Sequence, residues 1–390
     1  MVGVEPSDIR KWTAIIESVG GINLSQGNCF VESDDDYVGL AGNVQSAILR
    51  GAHQTGYNTY TPATGVDDLK LAIAKKSEEF NKITVNPHPT EGNLTVTQGA
   101  TGGLVCILHA IADPGDEVIL LEPFYNYHLR ALQMHGLTPR FSRMQGPTWA
   151  LDYDEIESLI STRTKALIIS TPNNPTGKVF SIEELTHLCE ICHRHGIFLI
   201  CDEVYEFITF DGTTHVSPAS LPGAESCVIT VSAFSKTLAI TGWRLGYVIT
   251  PPALPELAQR VRIANEMLFV CAPSPLQRAI APVVADWQPF LRLSKKYQRK
   301  RDALCHALDG AGLKHERPHG AYYVLADCSG FGLPSDVDIN MMLVKSYGFA
   351  GVPGVAFYHD EATTGTIRFC FAVMDTELSR LGSRLGKVSS

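Results

Sequence analysis

One lysine set between two apolar runs constrains this chain more than any other feature. Cys227-Val-Ile-Thr-Val231 has the continuous, β-branched character of a strand buried on both faces, and Arg244-Leu-Gly-Tyr-Val-Ile-Thr250 has it again. Lys236 stands between them, in Ser232-Ala-Phe-Ser-Lys-Thr-Leu-Ala-Ile-Thr-Gly-Trp-Arg-Leu-Gly-Tyr247. A lysine at the end of a buried strand cannot run its ammonium freely to solvent. Burial therefore lowers its pKa and leaves an amine able to form a Schiff base with a carbonyl compound. Arg244 follows with a planar guanidinium fork suited to an anion on the same compound, a phosphate above all. A lone Lys…Arg pair in a loop is more often two surface charges, so the rest of the chain has to decide.

The same pattern recurs upstream. Leu94-Thr-Val-Thr-Gln-Gly99-Ala100-Thr101 is a short β-branched run, a tight small-residue turn and the start of an apolar helix. Its unpaired N–H groups and the helix dipole favour a phosphate there. Glu117-Val-Ile-Leu-Leu121 is a buried strand ending in Glu122-Pro-Phe-Tyr125-Asn-Tyr127, and Lys165-Ala-Leu-Ile-Ile-Ser170 leads into Thr171-Pro-Asn-Asn174-Pro-Thr-Gly177. Ile197-Phe-Leu-Ile-Cys-Asp202-Glu-Val-Tyr205 ends an apolar run on a carboxylate, which must be paired or bind a cation. A metal at Asp202-Glu203 competes with pairing, but no histidine or further carboxylate recurs at ligand spacing. Strands alternating with helices up to about Thr250 predict an α/β fold with a mostly parallel sheet covered on both faces. Ligands then bind at the carboxyl ends of the strands, where all of these residues fall.

Composition bounds the function. With 390 residues, 45% hydrophobic and 19% charged, the chain can bury the core of a globular enzyme. A formal net charge of -9 and a pI near 5.8 argue against nucleic acid or an anionic membrane as the principal partner. No basic segment followed by an apolar run opens the chain, and no apolar stretch is long enough to span a bilayer, so the expected location is cytoplasmic. Ten cysteines are scattered through the chain, several inside apolar runs. Cys189-Glu-Ile-Cys192-His193 matches redox and haem-attachment spacing, but it lies in a helical pattern opened by a capping box at Ser181. These cysteines are expected to be reduced core residues.

Helical patterns are predicted over Ser7–Val19, Asn43–Gly51, Val66–Phe80 and Asp336–Tyr347, and the charge run from Ser294 to Arg301 is expected to be a solvated helix face. Late in the chain, Thr366-Ile-Arg368-Phe-Cys-Phe-Ala372 carries an arginine inside an apolar strand, which has no cheap structural explanation.

The Ser-Lys-Thr…Thr-Gly-Trp-Arg-Leu-Gly-Tyr string resembles the cofactor-lysine signature of the pyridoxal-phosphate aminotransferases of class I and II, the aspartate aminotransferase superfamily of fold type I. The resemblance runs from Ile22-Asn-Leu-Ser-Gln-Gly27 to Arg368, and the C-terminal string looks most like the kynurenine/methionine branch. It implies a large domain built on a seven-stranded sheet, plus a smaller α+β domain formed by the N-terminal arm and the C-terminal third. The expected division is 1–42, 43–285 and 286–390. It further implies that Lys236 holds pyridoxal 5'-phosphate and moves the substrate proton, while Asp202 pairs with the pyridine nitrogen. Tyr205 and Asn174 would donate to the phenolate oxygen, and Tyr125 would stack on the ring. Gly99, Ala100, Thr101, Ser235 and Arg244 would hold the phosphate. Arg368, helped by Asn174, would clamp the substrate α-carboxylate, with Gly27 and Asn28 in the arm that closes over it. Tyr60, in a loop similar to the family's Tyr-Thr-Pro-Ala-Ala-Gly, would reach the partner's site in a homodimer.

Two departures stand out. Relatives usually carry a hydroxyl three residues before the lysine, where this chain has Ala233, leaving Ser235 or Ser232 to substitute. The usual residues after Gly27 are replaced by Asn28-Cys29-Phe30. No arginine is placed as a second, dicarboxylate clamp, so the expected reaction is transamination of an amino acid with a neutral side chain. The alternative keeps the cofactor and ends in γ-elimination, replacement or carbon–carbon bond formation, possibly on S-adenosylmethionine. A non-catalytic regulatory domain is disfavoured by the lack of a basic DNA-binding extension.

Overall fold

The computed structural model describes residues 7–27, 29, 46, 49, 50, 55–360 and 364–386. Its centre is a seven-stranded sheet made of β2 (Leu94–Thr97), β3 (Glu117–Glu122), β4 (Thr138–Arg143), β5 (Thr164–Ser170), β6 (Phe198–Asp202), β7 (Val228–Ala233) and β8 (Gly246–Ile249). Their order is β2-β8-β7-β6-β5-β3-β4, and β8 alone runs antiparallel to its neighbours. The expected mostly parallel sheet is therefore present. Its strands are apolar on both faces because helices cover both. Val118, Leu120, Ile168 and Ile200 pack on one side against Leu104, Ile107 and Leu132; Ile119, Leu121, Leu167 and Leu199 pack on the other against Leu185 and Leu188.

The helix Ile182–His195 opens with the predicted capping box, Ser181 and Glu184 each accepting from the other's backbone N–H. Cys189 and Cys192 lie on its buried face among Leu199, Cys201 and Cys227, unpaired. Burial pushes the Cys189 thiol up to about 12, which makes it inert packing and not a redox pair.

The short strand β1 (Ile22–Asn23) pairs in parallel with β10 (Phe349–Ala350), so the N-terminal arm is tied to the C-terminal third. There β9 (Tyr323–Asp327), β11 (Val352–Pro353) and β12 (Thr366–Cys370) form a separate antiparallel sheet in the order β11-β12-β9. The helix expected over Asn43–Gly51 lies almost wholly outside the described residues. The patterns at Val66–Phe80 and Asp336–Tyr347 each begin as an α-helix, Asp67–Lys76 and Asp336–Met342, and end in a wider π-turn.

The charge run from Ser294 to Arg301 corrects the solvated-face expectation in part: Lys295 and Arg299 are exposed, but the last two residues are not. Within the helix Arg292–Gly310, Lys300 and Arg301 are buried. Arg301 donates to Asp211 and Asp302 beneath the Phe210 ring, and Lys300 donates to the Val373 carbonyl and to Asp375. Partners distant in sequence neutralise these charges, which a helical pattern cannot reveal.

Candidate active site

The carboxyl ends of β5, β6 and β7 open onto one cavity, with about 780 Å³ of empty space counting its mouth. Its wall includes Ala100, Thr101, Tyr125, Asn174, Asp202, Tyr205, Ser235, Lys236 and Arg244. Strand β7 delivers Lys236: the chain leaves the sheet at Ala233 and makes one helical turn, Phe234–Thr237. The lysine Nζ lies over the rings of Tyr322 and Tyr205, at 5.6 and 6.0 Å from their centres. Burial holds its pKa below the ordinary lysine value, and the nearby Arg244 charge acts in the same direction against the pull of Asp202. The amine is thus biased toward its neutral, nucleophilic form.

Strand β6 ends on Asp202. Its carboxylate faces His128 Nε2 at 3.0 Å and accepts from the Val204 N–H at 3.3 Å. His128 belongs to the helix Asn126–Met134, which starts directly after Tyr125. Sequence reasoning missed His128, along with Tyr127, Ser170 and Thr241, which also line the cavity. Position in the first turn after the Tyr125 segment was the available signal, and nothing in the sequence ties it to Asp202. Tyr125 and Tyr127 stack with ring centres 5.3 Å apart, and burial raises the Tyr125 phenol far above its usual range.

At the other end, the helix Gly99–Ile111 points its N-terminus at the cavity without any side-chain cap. Gly99 has φ +67°, and a Cβ there would lie 2.6 Å from the Arg244 Nη2. Only glycine lets the guanidinium rest on this turn. Arg244 itself is left-handed, φ 57°, with Nη1 donating to the Thr241 carbonyl at 3.0 Å. Free N–H groups, a helix dipole, the Ser235 side chain and a guanidinium converge as a phosphate requires. Ser232 does not take part: its hydroxyl turns away to Glu206 and the Glu203 carbonyl, so Ser235 is the serine left to stand in for the hydroxyl missing at Ala233.

Arg368 is fully buried and lies behind the wall, not in it. Its Nη1 donates to Asn174 Oδ1 at 2.8 Å and its Nη2 to the Ser25 carbonyl at 2.6 Å, while Nε is buried without a partner among the described residues. Gly27 packs against Tyr322 and Tyr323, and Asn28 lies outside the described residues. Tyr60 is 82% exposed and belongs to a different cleft, with Asn58, Gln98 and Ser274, so this chain does not bring it to its own cavity.

A histidine does meet Glu203, contrary to the sequence reading. His215 Nε2 lies 2.7 Å from Glu203, and Glu206 is close by. These carboxylates are already satisfied, Glu203 by Ser217 and Thr230 as well, and Glu206 by Lys76 Nζ at 2.7 Å and by Asn81. The Lys76 ammonium supplies the positive charge a metal would bring.

An amine, a carboxylate and a phenol in one cavity wall, with an uncapped helix N-terminus and its guanidinium, fit pyridoxal 5'-phosphate in charge and donor type. Comparison with known proteins agrees. Residues 19–384 match the family described as aminotransferase class I and II. The methionine aminotransferase of Escherichia coli K12 is 32% identical over 374 residues, 96% of this chain and 93% of the relative. Human kynurenine–oxoglutarate transaminase 1 is 32% identical over 363 residues, 85% of each chain. The N-succinyldiaminopimelate aminotransferase of Mycobacterium tuberculosis superposes with a TM-score of 0.90 at 29% identity, covering 99% of this chain and 98% of the other. The chain therefore belongs to the class I and II aminotransferases, pyridoxal-phosphate-dependent enzymes of fold type I.

Proposed function

We propose that this aminotransferase takes amino acids with neutral side chains, holds its cofactor covalently at Lys236 Nζ, and works as a cytoplasmic homodimer. The observation that carries the reading is the convergence of Lys236, Asp202, Tyr205 and the Gly99–Arg244 corner on one cavity. When bound, pyridoxal phosphate supplies an electron sink that acidifies the Cα–H of an attached amino acid and carries its amino group. Asp202, oriented by His128, would hold a proton on the ring nitrogen. Tyr205 and Asn174 would donate to the ring oxygen, and Tyr125 would pack on the ring. Ala100, Thr101, Ser235 and Arg244 would anchor the phosphate. Lys236 Nζ would move the proton at the substrate Cα, and Arg368, bonded to the wall residue Asn174, would receive the α-carboxylate with it.

Among the described residues the basic groups of the cavity wall are Lys236, Arg244 and His128, each already with a task, and behind it Arg368 is the arginine bonded to the wall residue Asn174. This supports a neutral side chain, as do the methionine and kynurenine activities in the relatives' names. All ten cysteines are unpaired, the state a reducing compartment maintains, and no helix of the described residues is long and apolar enough to cross a membrane. A boundary at 285/286 separates the seven-stranded sheet, within 94–249, from the three-stranded sheet, within 323–370, while the one at 42/43 lies outside the described residues. The elimination and bond-forming alternative draws no support from the relatives, which are named as aminotransferases.

The test is a half-reaction. One neutral amino acid without an oxo acid should yield one equivalent of 2-oxo acid per site and leave the cofactor in its amine form. Lys236→Ala should do neither and should carry no borohydride-fixed cofactor. Failure of every amino acid tried, with methylthioadenosine released from S-adenosylmethionine, would replace transamination by the alternative.

A further inference from the structure

Two tyrosines at the start of β9, Tyr322 and Tyr323, have no part in the reading above. The backbone that aims them is held in a costly conformation: Ala321 is fully buried with φ 57°, a region a non-glycine residue seldom adopts. It is fixed there because its N–H donates to the Ile208 carbonyl at 2.9 Å while the His319 carbonyl accepts from Phe210 at 2.8 Å.

The result is a contact chain from the buried guanidinium to the cavity. The Tyr323 ring centre lies 4.1 Å from the Arg368 guanidinium carbon, with the Phe357 ring 5.0 Å from it. The Tyr323 hydroxyl is 3.3 Å from the Tyr205 hydroxyl. Tyr205 lines the cavity, whereas Tyr323 and Arg368 stand one layer behind it. The N-terminal arm closes the same assembly. Tyr322 donates to the Gly27 carbonyl at 3.1 Å, and a Cβ on Gly27 would come within 2.3 Å of the Tyr323 hydroxyl.

We propose that Tyr323 is a positioning residue that joins the carboxylate clamp to the cavity phenol: its ring fixes Arg368, and its hydroxyl donates to Tyr205 Oη. This rests on the roles given above to Arg368 and Tyr205. Either hydroxyl of this pair can donate; with Tyr323 as donor, the hydrogen of Tyr205 stays free for a group in the cavity, and a hydroxyl that accepts a hydrogen bond becomes a better donor itself. Both phenols keep their protons at working pH, since burial pushes Tyr323 up to about 12 and Tyr205 well above its ordinary value. Cation–π contact with a desolvated guanidinium holds Arg368 flat without using its donors, so the unpartnered Nε remains for a carboxylate.

The sign of the effect follows. A stronger Tyr205 donor favours negative charge on the ring oxygen it faces, so the titrating proton of the bound chromophore leaves at lower pH. Tyr323→Phe keeps the ring and removes the hydroxyl, and Tyr323→Leu removes both. In cofactor-loaded enzyme without substrate, Tyr323→Phe should raise the pH midpoint of the visible band by roughly 0.3–1 unit and leave KM for the amino acid within about twofold. Tyr323→Leu should raise KM about tenfold or more, and Phe at the same position should restore it. A wild-type midpoint in Tyr323→Phe overturns the proposal, as does unchanged KM in a folded Tyr323→Leu. A Tyr323→Leu chain that fails to fold leaves the Phe titration as the deciding measurement. If the wild-type enzyme binds no cofactor, or Lys236→Ala keeps the fixed adduct, the underlying site reading fails and takes the proposal with it; a normal wild-type titration with an unmoved Phe variant sinks the proposal alone.

Discussion

Lys236 holds an amine whose pKa is lowered by desolvation, and that desolvation costs the folded chain stability. Its folded pKa lies below the unfolded value of about 10.4, so between the two values the unfolded state binds more protons. Stability contributed here rises with pH across that window, and below it the folded chain bears the desolvation cost of a half-buried ammonium. Lys236→Met, which keeps the bulk and loses the charge, should therefore raise the melting temperature of cofactor-free protein at pH 7. The gain should shrink toward pH 10; a lower melting temperature than wild type at pH 7 would refute the burial argument. Ser235 is proposed above to help anchor the cofactor phosphate. Serine hydroxyls bonded to a charged group contribute about 1–2 kcal/mol, so Ser235→Ala should weaken cofactor affinity roughly tenfold. Equilibrium dialysis showing no change would leave the Ala100 and Thr101 amides with Arg244 as the whole phosphate site.

At the scale of elements, the turn that carries Tyr205 is pinned by the carboxylates on either side of it. Glu203 is held by His215, Ser217 and Thr230, and Glu206 by Lys76, Asn81 and Tyr247. Lys76 projects from the helix Asp67–Lys76 and Tyr247 from β8, so the Lys76–Glu206 pair ties that helix, the turn after β6 and the β7–β8 ladder together. Burial opposes the Lys76 charge, yet Glu206 and Tyr247 hold its pKa above the ordinary lysine value. Lys76→Met leaves the Glu206 carboxylate buried without its cation and should cost about 3–5 kcal/mol in urea unfolding. Lys76→Met combined with Glu206→Leu should cost clearly less. Equal losses would mean that the pair is not the anchor.

For the whole molecule, the single chain presents an unsatisfied face. Tyr60 is 82% exposed, Met267 72% and Ile263 50%, the last two one helical turn apart on the helix Pro255–Phe269, which leads into the cleft that Tyr60 lines. A second copy on this face would make the homodimer proposed above, in which each Tyr60 is expected to serve the opposite cavity. Mixing settles it. Tyr60→Ala and Lys236→Ala chains, each nearly inactive alone, should on co-refolding recover up to about a quarter of wild-type activity, because half the dimers are mixed and each mixed dimer has one intact site. No recovery would place Tyr60 outside the partner's site.

The sequence by itself determined the sheet and the polar residues at its strand ends that meet in the cavity. Buried parallel strands are continuous apolar runs, and the residues that end them, Asn174, Asp202, Tyr205 and Lys236, are placed by those runs over a few neighbouring positions. Only the tertiary structure decided the pairings across the chain: His128 with Asp202, separated by 74 residues, Lys76 with Glu206, by 130, Arg368 with Asn174, by 194, and Tyr323 with Tyr205, by 118. It also decided that Lys300 and Arg301 are buried and that Arg368 stands behind the wall. Period and propensity act over one or two turns of chain, whereas a buried charge chooses its partner from whatever the finished fold places within hydrogen-bond reach.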